Sequence, residues 1–301
     1  MSKFLQNVRK GPIQSPFKIV LYGLEGVGKS TFAADAPSPI FMDAEGSTEE
    51  LDIQRLPTVE SFTEALQAID ELTAEKHDYK TFVLDTADWF EAMVWEHVCA
   101  EANVKSIEDV GYGKGYVAAL ENWRTFLARL DALRTKRGMN IIILAHSHIR
   151  SFRNPAGEDY ERYELKLNAK ASSLIKEWPS AVLFARYQTY THTDKNKRTR
   201  AVGDGSRVLS TEPRPAWDAK NRYGLPGELP LSWADFETAA RAGVSEDDAK
   251  DTADDLDELM GLVDAKIRTQ AEAGRVRAAG DPRKLAQLAD WLRAKINHRA
   301  A

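Results

Sequence analysis

The chain has 301 residues, of which 43% are hydrophobic, 9% aromatic and 29% charged, and its formal net charge is −5. These values are typical of a globular protein with a substantial core, and they exclude a chain disordered throughout, a collagen-like fibre and a membrane channel. The single cysteine, Cys99, excludes an intramolecular disulfide and a cysteine-based zinc site. With no signal-peptide pattern and no run of eighteen apolar residues, we expect a cytoplasmic protein without a membrane partner.

Short apolar runs alternate with helical patterns along the first half of the chain. The apolar runs, each ending in a glycine or near a polar side chain, predict buried strands at residues 17–23, 39–45, 80–86 and 140–146. The helical patterns fall at residues 29–35, 59–76, 88–102 and 117–136. Because strands that are apolar throughout are covered on both faces, the sequence predicts an α/β fold with a mostly parallel central sheet flanked by helices.

The second half of the chain is more polar and its charge is segregated. Residues 146–222 contain 15 Lys and Arg against 9 Asp and Glu, so this segment either faces a polyanion or forms a solvated surface of mixed charge. Within it we predict a helix at 169–177, a strand at 181–190 and a basic hairpin after that strand. We divide the chain into an N-terminal tail at 1–11, a core at 12–243 and a helical C-terminal appendage at 244–301, which serves oligomerisation or tethers a partner.

A glycine-rich loop follows the first predicted strand and precedes a helix. Residues 23–30, GLEGVGKS, match the phosphate-loop pattern G-x-x-x-x-G-K-[ST], in which the glycines let backbone N–H groups turn towards phosphate oxygens. Lys29 is predicted to meet the β and γ phosphates and Thr31 the α phosphate. The predicted nucleotide-binding residues are Gly23, Gly26, Val27, Gly28, Lys29, Ser30 and Thr31.

Polar residues at the ends of the other strands complete a candidate site. The Ser30 hydroxyl is predicted to bind Mg²⁺, and Asp85 to hold the ion from the end of a neighbouring strand, although Asp85 also suits the cap of the next helix. Asp88 is a weaker candidate for the metal. Glu45 is the best carboxylate to activate the attacking water, with a solvated loop acid as the alternative. His146 either senses the γ phosphate or is simply a satisfied polar residue.

Taken in order, these segments resemble the RecA/Rad51 recombinase core, and more closely the phage-encoded single-strand-annealing ATPases that keep this core. The resemblance covers about residues 17–233 and includes the phosphate loop. The run FMDAE at 41–45 is similar to the segment whose glutamate activates water. The strand ending in His146 is similar to one that usually ends in a glutamine reporting on the γ phosphate. The run AKNR at 219–222 resembles the Lys-x-Lys or Lys-x-Arg fingers that related recombinases and hexameric helicases insert into the nucleotide site of a neighbouring subunit.

The resemblance implies a RecA-like P-loop NTPase, namely a Mg²⁺-dependent ATPase with ATP and Mg²⁺ as cofactors. It implies that Glu45 is the general base and that Lys220 and Arg222 act in trans on the γ phosphate, with a basic surface turn as the alternative for these two. ATP rather than GTP rests on the resemblance and on the lack of an Asn-Lys-x-Asp motif. A homo-oligomer, as a ring or a filament, is also implied.

Two loops correspond to those that recombinases direct at DNA, at 111–116 and about 150–167. They combine cations for phosphates with aromatic rings for base stacking, and the candidates are Tyr112, Lys114, Tyr116, Arg150, Phe152 and Arg153. The implied function is ATP-driven action on single-stranded DNA in phage recombination or annealing, in the host cytoplasm, and the appendage could recruit a single-strand-binding protein. The alternatives are a replicative helicase-like motor or loader, and an ATP-controlled assembly switch without DNA.

Overall fold

A computed structural model describes residues 15–155, 157–188, 190–193, 199–203, 205–242 and 265–278, with the single residues 256, 259, 260, 288 and 292. The predicted tail at 1–11 and most of the predicted appendage lie outside the described residues. The helices are α1 Lys29–Ala34, α2 Phe62–Ala74, α3 Ala87–Ala102, α4 Lys114–Arg137, α5 Ala169–Glu177, α6 Trp233–Arg241 and α7 Ala265–Ala278. A short 3-10 turn, Ile107–Val110, precedes α4.

The strands form one large sheet and one small hairpin. They are β1 Lys18–Gly23, β2 Pro39–Asp43, β3 Gln54–Arg55, β4 Thr81–Asp85, β5 Asn140–Phe152, β6 Tyr160–Leu165, β7 Ala181–Tyr187, β8 Tyr190–Thr193, β9 Thr199–Val202, β10 Arg207–Ser210, β11 Lys220–Asn221 and β12 Glu228–Pro230. The order across the large sheet is β3-β2-β4-β5-β1-β7-β10-β12. The first six strands in this spatial order are parallel to one another. At the other edge, β10 pairs antiparallel with β7, and β12 pairs antiparallel with β10. The predicted α/β fold with a mostly parallel sheet is confirmed.

Helices cover both faces of this sheet. Because side chains alternate between the faces of a strand, Val20 and Tyr22 of β1 join a large apolar cluster with α2, α3, α4 and α5. Ile19 and Leu21, equally buried, point to the other face. Phe17 packs edge-on against Trp233 and Phe236 of α6, with ring centroids 5.9 and 5.2 Å apart. The parallel strands are therefore buried on both sides, as their continuous apolar runs predict.

The carboxyl ends of β1 and β7 approach each other closely. A Cβ atom on Gly23 would lie 2.3 Å from the carbonyl oxygen of Ala185, its partner in the ladder. Since no side chain can occupy that position without moving the backbone, the first glycine of the phosphate loop is required by strand packing as well as by the turn.

Strand β5 continues beyond the predicted end at His146. Residues 147–152 pair with β6 in an antiparallel hairpin, so the loop predicted at 150–167 is confined to residues 153–159 within this arm. The Phe152 and Tyr160 rings pack across the hairpin with their centroids 5.1 Å apart, and the Arg162 guanidinium lies 5.2 Å above the Phe152 ring. These aromatic contacts stabilise strands that the polar composition of the segment did not indicate.

The chain divides into two compact units, residues 1–237 and 238–301, and the predicted boundary at 243 stays a prediction. In the second unit, the described residues of the C-terminal segment are helical. They form a small apolar cluster of Leu256, Leu259, Met260, Ala271 and Leu292. No helix of the described chain has the length and apolarity needed to cross a bilayer.

Candidate nucleotide-binding site

The phosphate loop connects β1 to α1 through two residues with positive φ. Gly26 has φ 69° and Gly28 has φ 103°, and both values are strained for residues with a side chain. The helix begins directly at Lys29. The loop predicted from the motif therefore has the strand–turn–helix setting that the motif requires.

Lys29 is folded into the loop, with only 5% of its surface exposed. Its Nζ donates to the carbonyl oxygens of Gly23 at 3.4 Å and Leu24 at 3.0 Å. Burial lowers the pKa of Lys29, while the nearby carboxylates of Asp85, Asp88 and Glu45 act in the opposite direction. The Lys29 ammonium group thus lies close enough to these three carboxylates to interact with them electrostatically.

Ser30 and Asp85 form a direct pair across the sheet edge. The Ser30 hydroxyl donates to Asp85 Oδ2 at 2.6 Å, and Asp85 is only 1% exposed. Burial raises the pKa of Asp85 to about 6, although the Ser30 hydrogen bond opposes the rise. The alternative role as a helix cap is not seen, because Thr86 holds the N-cap position of α3. Two hard oxygen donors therefore meet beside Lys29.

The buried carboxyl of Asp85 leads to a stability prediction. We expect Asp85→Asn to be more stable than the parent chain at pH 8 without divalent cations, because Asn keeps an acceptor for Ser30 and carries no buried charge. In the folded chain the Asp85 carboxyl keeps its proton up to about pH 6, whereas in the unfolded chain it loses the proton near pH 3.8. Protonation of Asp85 therefore stabilises the folded parent chain by about 3 kcal/mol below pH 3.8, and this stabilisation is lost as the pH rises through 6.

Urea unfolding of Asp85→Asn and the parent chain at pH 5 and pH 8 measures this effect. The stability gap should widen by about 1 to 2 kcal/mol between the two pH values. The matched control is Asp52→Asn, which alters an exposed acid. The difference in stability between this variant and the parent chain should be the same at both pH values. A gap of the same size at both pH values would contradict the placement of a buried charge at Asp85.

His146, Asp88 and Glu45 form a second polar chain at the same edge. His146 Nδ1 lies 2.9 Å from Asp88 Oδ2, and the His146 backbone N–H donates to Asp88 Oδ1 at 2.9 Å. Burial acts to raise the pKa of Asp88, but the two hydrogen bonds from His146 outweigh it and leave the pKa below its ordinary value. On the other side of the ring, His146 Nε2 lies 4.0 Å from Glu45 Oε2. Both carboxylate oxygens of Asp88, a candidate metal ligand, are thus hydrogen-bonded to His146.

The loop after β2 holds Glu45 in this position. The backbone N–H groups of Ala44 and Glu45 lie 2.7 and 3.3 Å from the carbonyl oxygen of Asp85. Asp43 accepts hydrogen bonds from Gly46 N at 2.7 Å and from the Thr48 hydroxyl at 2.6 Å. Sequence reasoning missed this role of Asp43, although an Asp three residues before a glycine is a recognisable turn signal.

Lys220 and Arg222 do not reach the phosphate loop of their own chain. Lys220 pairs with Val182 in β7, whereas Ala185, three residues further along β7, lies beside Gly23; that separation is about 10 Å along a strand. The Lys220 ammonium donates to the carbonyl oxygens of Lys176 and Glu177, at the end of α5. Burial and the neighbouring Arg222 charge lower the pKa of Lys220.

The predicted DNA-binding residues occupy two places. Tyr112 is fully exposed, while Lys114 and Tyr116 lie in the first turn of α4 rather than in a loop. Tyr116 donates to Glu108 and packs edge-on against Trp95 at 5.6 Å, so its ring is partly used within the chain. Arg150 and Phe152 lie on β5 of the β5–β6 hairpin, and Arg153 is the first residue of the loop that joins the two strands.

A metal site built from three or more His, Cys, Asp or Glu side chains is absent from the described part of the chain. Mg²⁺ needs only one or two protein oxygens, because it keeps several of its waters and takes substrate phosphates as ligands. Ser30 and Asp85 are a donor set of that kind.

The site lies at a characteristic place in the order of the parallel strands. Strand β5 separates β1, which carries the phosphate loop, from β4, which ends at Asp85, and the carboxyl ends of these parallel strands meet at the site. A RecA-like P-loop NTPase has this arrangement. Residues 15–223 match the AAA domain family, and since this is more than half of the chain, the chain belongs to that family.

The chain also has a distant similarity to a solved structure. The crystal structure of the RadB recombinase is 14% identical to this chain, covers 67% of this chain and 84% of its own, and superposes with a TM-score of 0.38. Curated protein sequences contain no match to the chain.

Proposed function

We propose that this protein is a Mg²⁺-dependent ATPase that acts on single-stranded DNA in recombination or annealing, in a phage setting. One observation supports the proposed ATPase activity most strongly. Lys29, the Ser30–Asp85 pair and the Glu45–His146 contact all lie at the same edge of the sheet. A phosphate-binding cation, a metal-binding pair and a carboxylate for water are the three parts that phosphoryl transfer needs.

The residues present fit ATP and Mg²⁺. The loop from Gly23 to Thr31 offers successive backbone N–H groups to the phosphates, and Lys29 adds a cation. The Ser30 hydroxyl would bind Mg²⁺ directly and Asp85 through water. When bound, the ion supplies positive charge that neutralises the phosphate oxygens.

Glu45 is assigned the role of general base, because its backbone N–H lies 3.3 Å from the carbonyl oxygen of Asp85 and its carboxylate lies 4.0 Å from His146 Nε2. Accepting a proton from the attacking water contributes about 10² to 10⁴ in rate. An ionised Asp88 has only acceptor atoms, so Nδ1 of His146 carries the proton that it shares with Asp88. This bond orients the His146 ring, and with it Nε2, towards Glu45.

The β5–β6 hairpin supports the proposed action on DNA. His146 lies on the same continuous strand as Arg150 and Phe152, so a change in the histidine's contacts can move the arm. Arg150 is half exposed, 3.9 Å from Glu164, and Ile149 is 58% exposed. The Arg150 guanidinium suits a phosphate group, and the exposed Ile149 side chain offers an apolar surface beside it.

A homo-oligomer, either a ring or a filament, belongs to the proposal. Lys220 and Arg222 lie away from their own phosphate loop, so we assign them to the γ phosphate held by a neighbouring subunit, where two cations stabilise developing charge. The C-terminal segment, with 8 acids and one lysine at 244–260, is proposed to recruit a single-strand-binding protein.

Steady-state ATP hydrolysis with Mg²⁺ at fixed low salt tests the proposal, because DNA contacts are strongly salt-dependent. Single-stranded DNA should stimulate hydrolysis several-fold and double-stranded DNA should not. Arg150→Ala combined with Arg153→Ala should remove most of the stimulation, whereas Arg214→Ala, a matched change at an exposed arginine, should keep it. A hydrolysis rate that neither DNA changes would favour an ATP-controlled assembly switch. Directional unwinding of a duplex would favour a helicase-like motor.

A further inference from the structure

Two side chains far away in the sequence contact the outside of the phosphate loop. Tyr187 of β7 and Arg207 of β10 are direct cross-strand partners in the antiparallel ladder. The Tyr187 hydroxyl donates to the carbonyl oxygen of Gly26 at 3.2 Å, and Arg207 Nη1 donates to that of Val27 at 3.5 Å. One pair of residues therefore binds two consecutive carbonyl groups of the loop.

These carbonyl groups belong to two consecutive peptides of the loop, the first of which closes a turn through its Val27 N–H, 3.5 Å from the carbonyl oxygen of Leu24. The Gly26 carbonyl shares a peptide with the Val27 N–H, and the Val27 carbonyl shares one with the Gly28 N–H. Because a peptide is planar, a donor that holds its oxygen outwards directs its N–H inwards. Hydrogen bonds to the oxygens also polarise the peptides and strengthen their N–H donors.

The loop needs such support because of its composition. Gly26 and Gly28 both have positive φ, and glycine loses more conformational freedom than any other residue when it is ordered. The Arg207 guanidinium lies against Gly28 so closely that a Cβ there would be 2.7 Å from Nη1. The two side chains thus cover the glycine-rich part of the loop from the side of β7 and β10.

We propose that Tyr187 and Arg207 are positioning residues that act within their own chain and hold the phosphate loop in its phosphate-binding conformation. The inference rests on the proposed binding of ATP by this loop. It differs in kind from the role assigned to Lys220 and Arg222, which act on a neighbouring subunit. The expected consequence is tighter binding of nucleotide, with little direct effect on the chemical step.

The test compares Tyr187→Phe and Arg207→Met with the parent chain, using a fluorescent ATP analogue with Mg²⁺ for Kd and ATP hydrolysis for KM and kcat. Kd and KM should rise about fivefold for Tyr187→Phe and about tenfold for Arg207→Met, as expected for the loss of a neutral and a charged donor. The kcat value at saturating ATP should stay within about twofold. Arg207→Lys, which keeps a donor, should recover part of the affinity.

Arg186→Met is the matched control, because Arg186 precedes Tyr187 on β7 and instead pairs with Glu228 and Ser210. A change in Tm without a change in KM is expected for it. Tyr187→Phe removes no charge, so its effect on Kd cannot come from long-range electrostatics. If the parent binds ATP and both loop-contact variants bind equally well, the positioning role is overturned and the proposed function stands. If the parent does not bind ATP, both are overturned.

Discussion

The Lys29→Ala variant is expected to lose nucleotide binding by about a hundredfold or more and to show no measurable hydrolysis. The Lys29 ammonium is almost completely buried and bonded to two loop carbonyls, so on binding it exchanges these for phosphate oxygens without recruiting a solvated side chain. Each charge-assisted hydrogen bond in such a setting contributes about 1.5 to 3 kcal/mol. Titration with a fluorescent ATP analogue and steady-state hydrolysis measure the two losses.

Two observations separate this effect from misfolding. Removing Lys29 also removes the cost of burying an ammonium group whose pKa is lowered, so Tm should change little. Lys136→Ala, at an exposed position in the last turn of α4, is the matched control and should bind ATP normally. Binding of ATP by Lys29→Ala with the affinity of the parent would refute the assignment of the loop.

The same variant also tests action in trans. A Lys29→Ala chain keeps Lys220 and Arg222, whereas a Lys220→Ala/Arg222→Ala chain keeps its phosphate loop. Mixing the two inactive chains should therefore restore part of the hydrolysis if the cations act on a neighbour's nucleotide. No recovery at any mixing ratio would argue against the trans role.

Glu45→Gln is expected to bind ATP with nearly parental affinity and to hydrolyse it about 10² to 10⁴ times more slowly. Glutamine keeps the size and hydrogen-bonding capacity of the side chain but cannot accept a proton from water. The backbone contacts of Ala44 and Glu45 with Asp85 do not involve the side chain, so the loop should keep its conformation. Single-turnover hydrolysis together with a binding titration distinguishes loss of chemistry from loss of binding.

Glu49→Gln serves as the control for Glu45→Gln, because Glu49 is an exposed acid in the same segment after β2. It should bind and hydrolyse ATP as the parent does. Parental turnover by Glu45→Gln would remove this residue from the mechanism.

Local features of the site could be predicted because neighbouring residues in the sequence carry them. The phosphate loop is one continuous run, and its strand–turn–helix setting follows from the apolar run before it. Asp85 and Glu45 were predicted because each follows a buried strand, and parallel strands bring their carboxyl ends to one edge. The sheet confirms that convergence, with Asp43 paired to Asp85.

Contacts between distant segments were not predictable in the same way. The hydrogen bonds that join His146 to Asp88 depend on the distance between β5 and α3, 58 residues apart in the sequence. The extension of β5 into a hairpin depends on cross-strand partners such as Tyr160, in a segment whose polar composition is typical of a loop. The contacts of Tyr187 and Arg207 with the loop follow from the place of β7 beside β1 in the sheet.

The class of fold, the phosphate loop and the acids at the ends of the strands are thus predictable from the sequence, because periodicity and short motifs are local properties of the chain. Only the folded chain shows which of these groups are in contact: Asp88 binds His146, Lys220 and Arg222 lie away from their own loop, and Tyr187 and Arg207 contact it. Such pairings depend on strand order and register, which arise from packing of the whole sheet and leave no local pattern in the sequence.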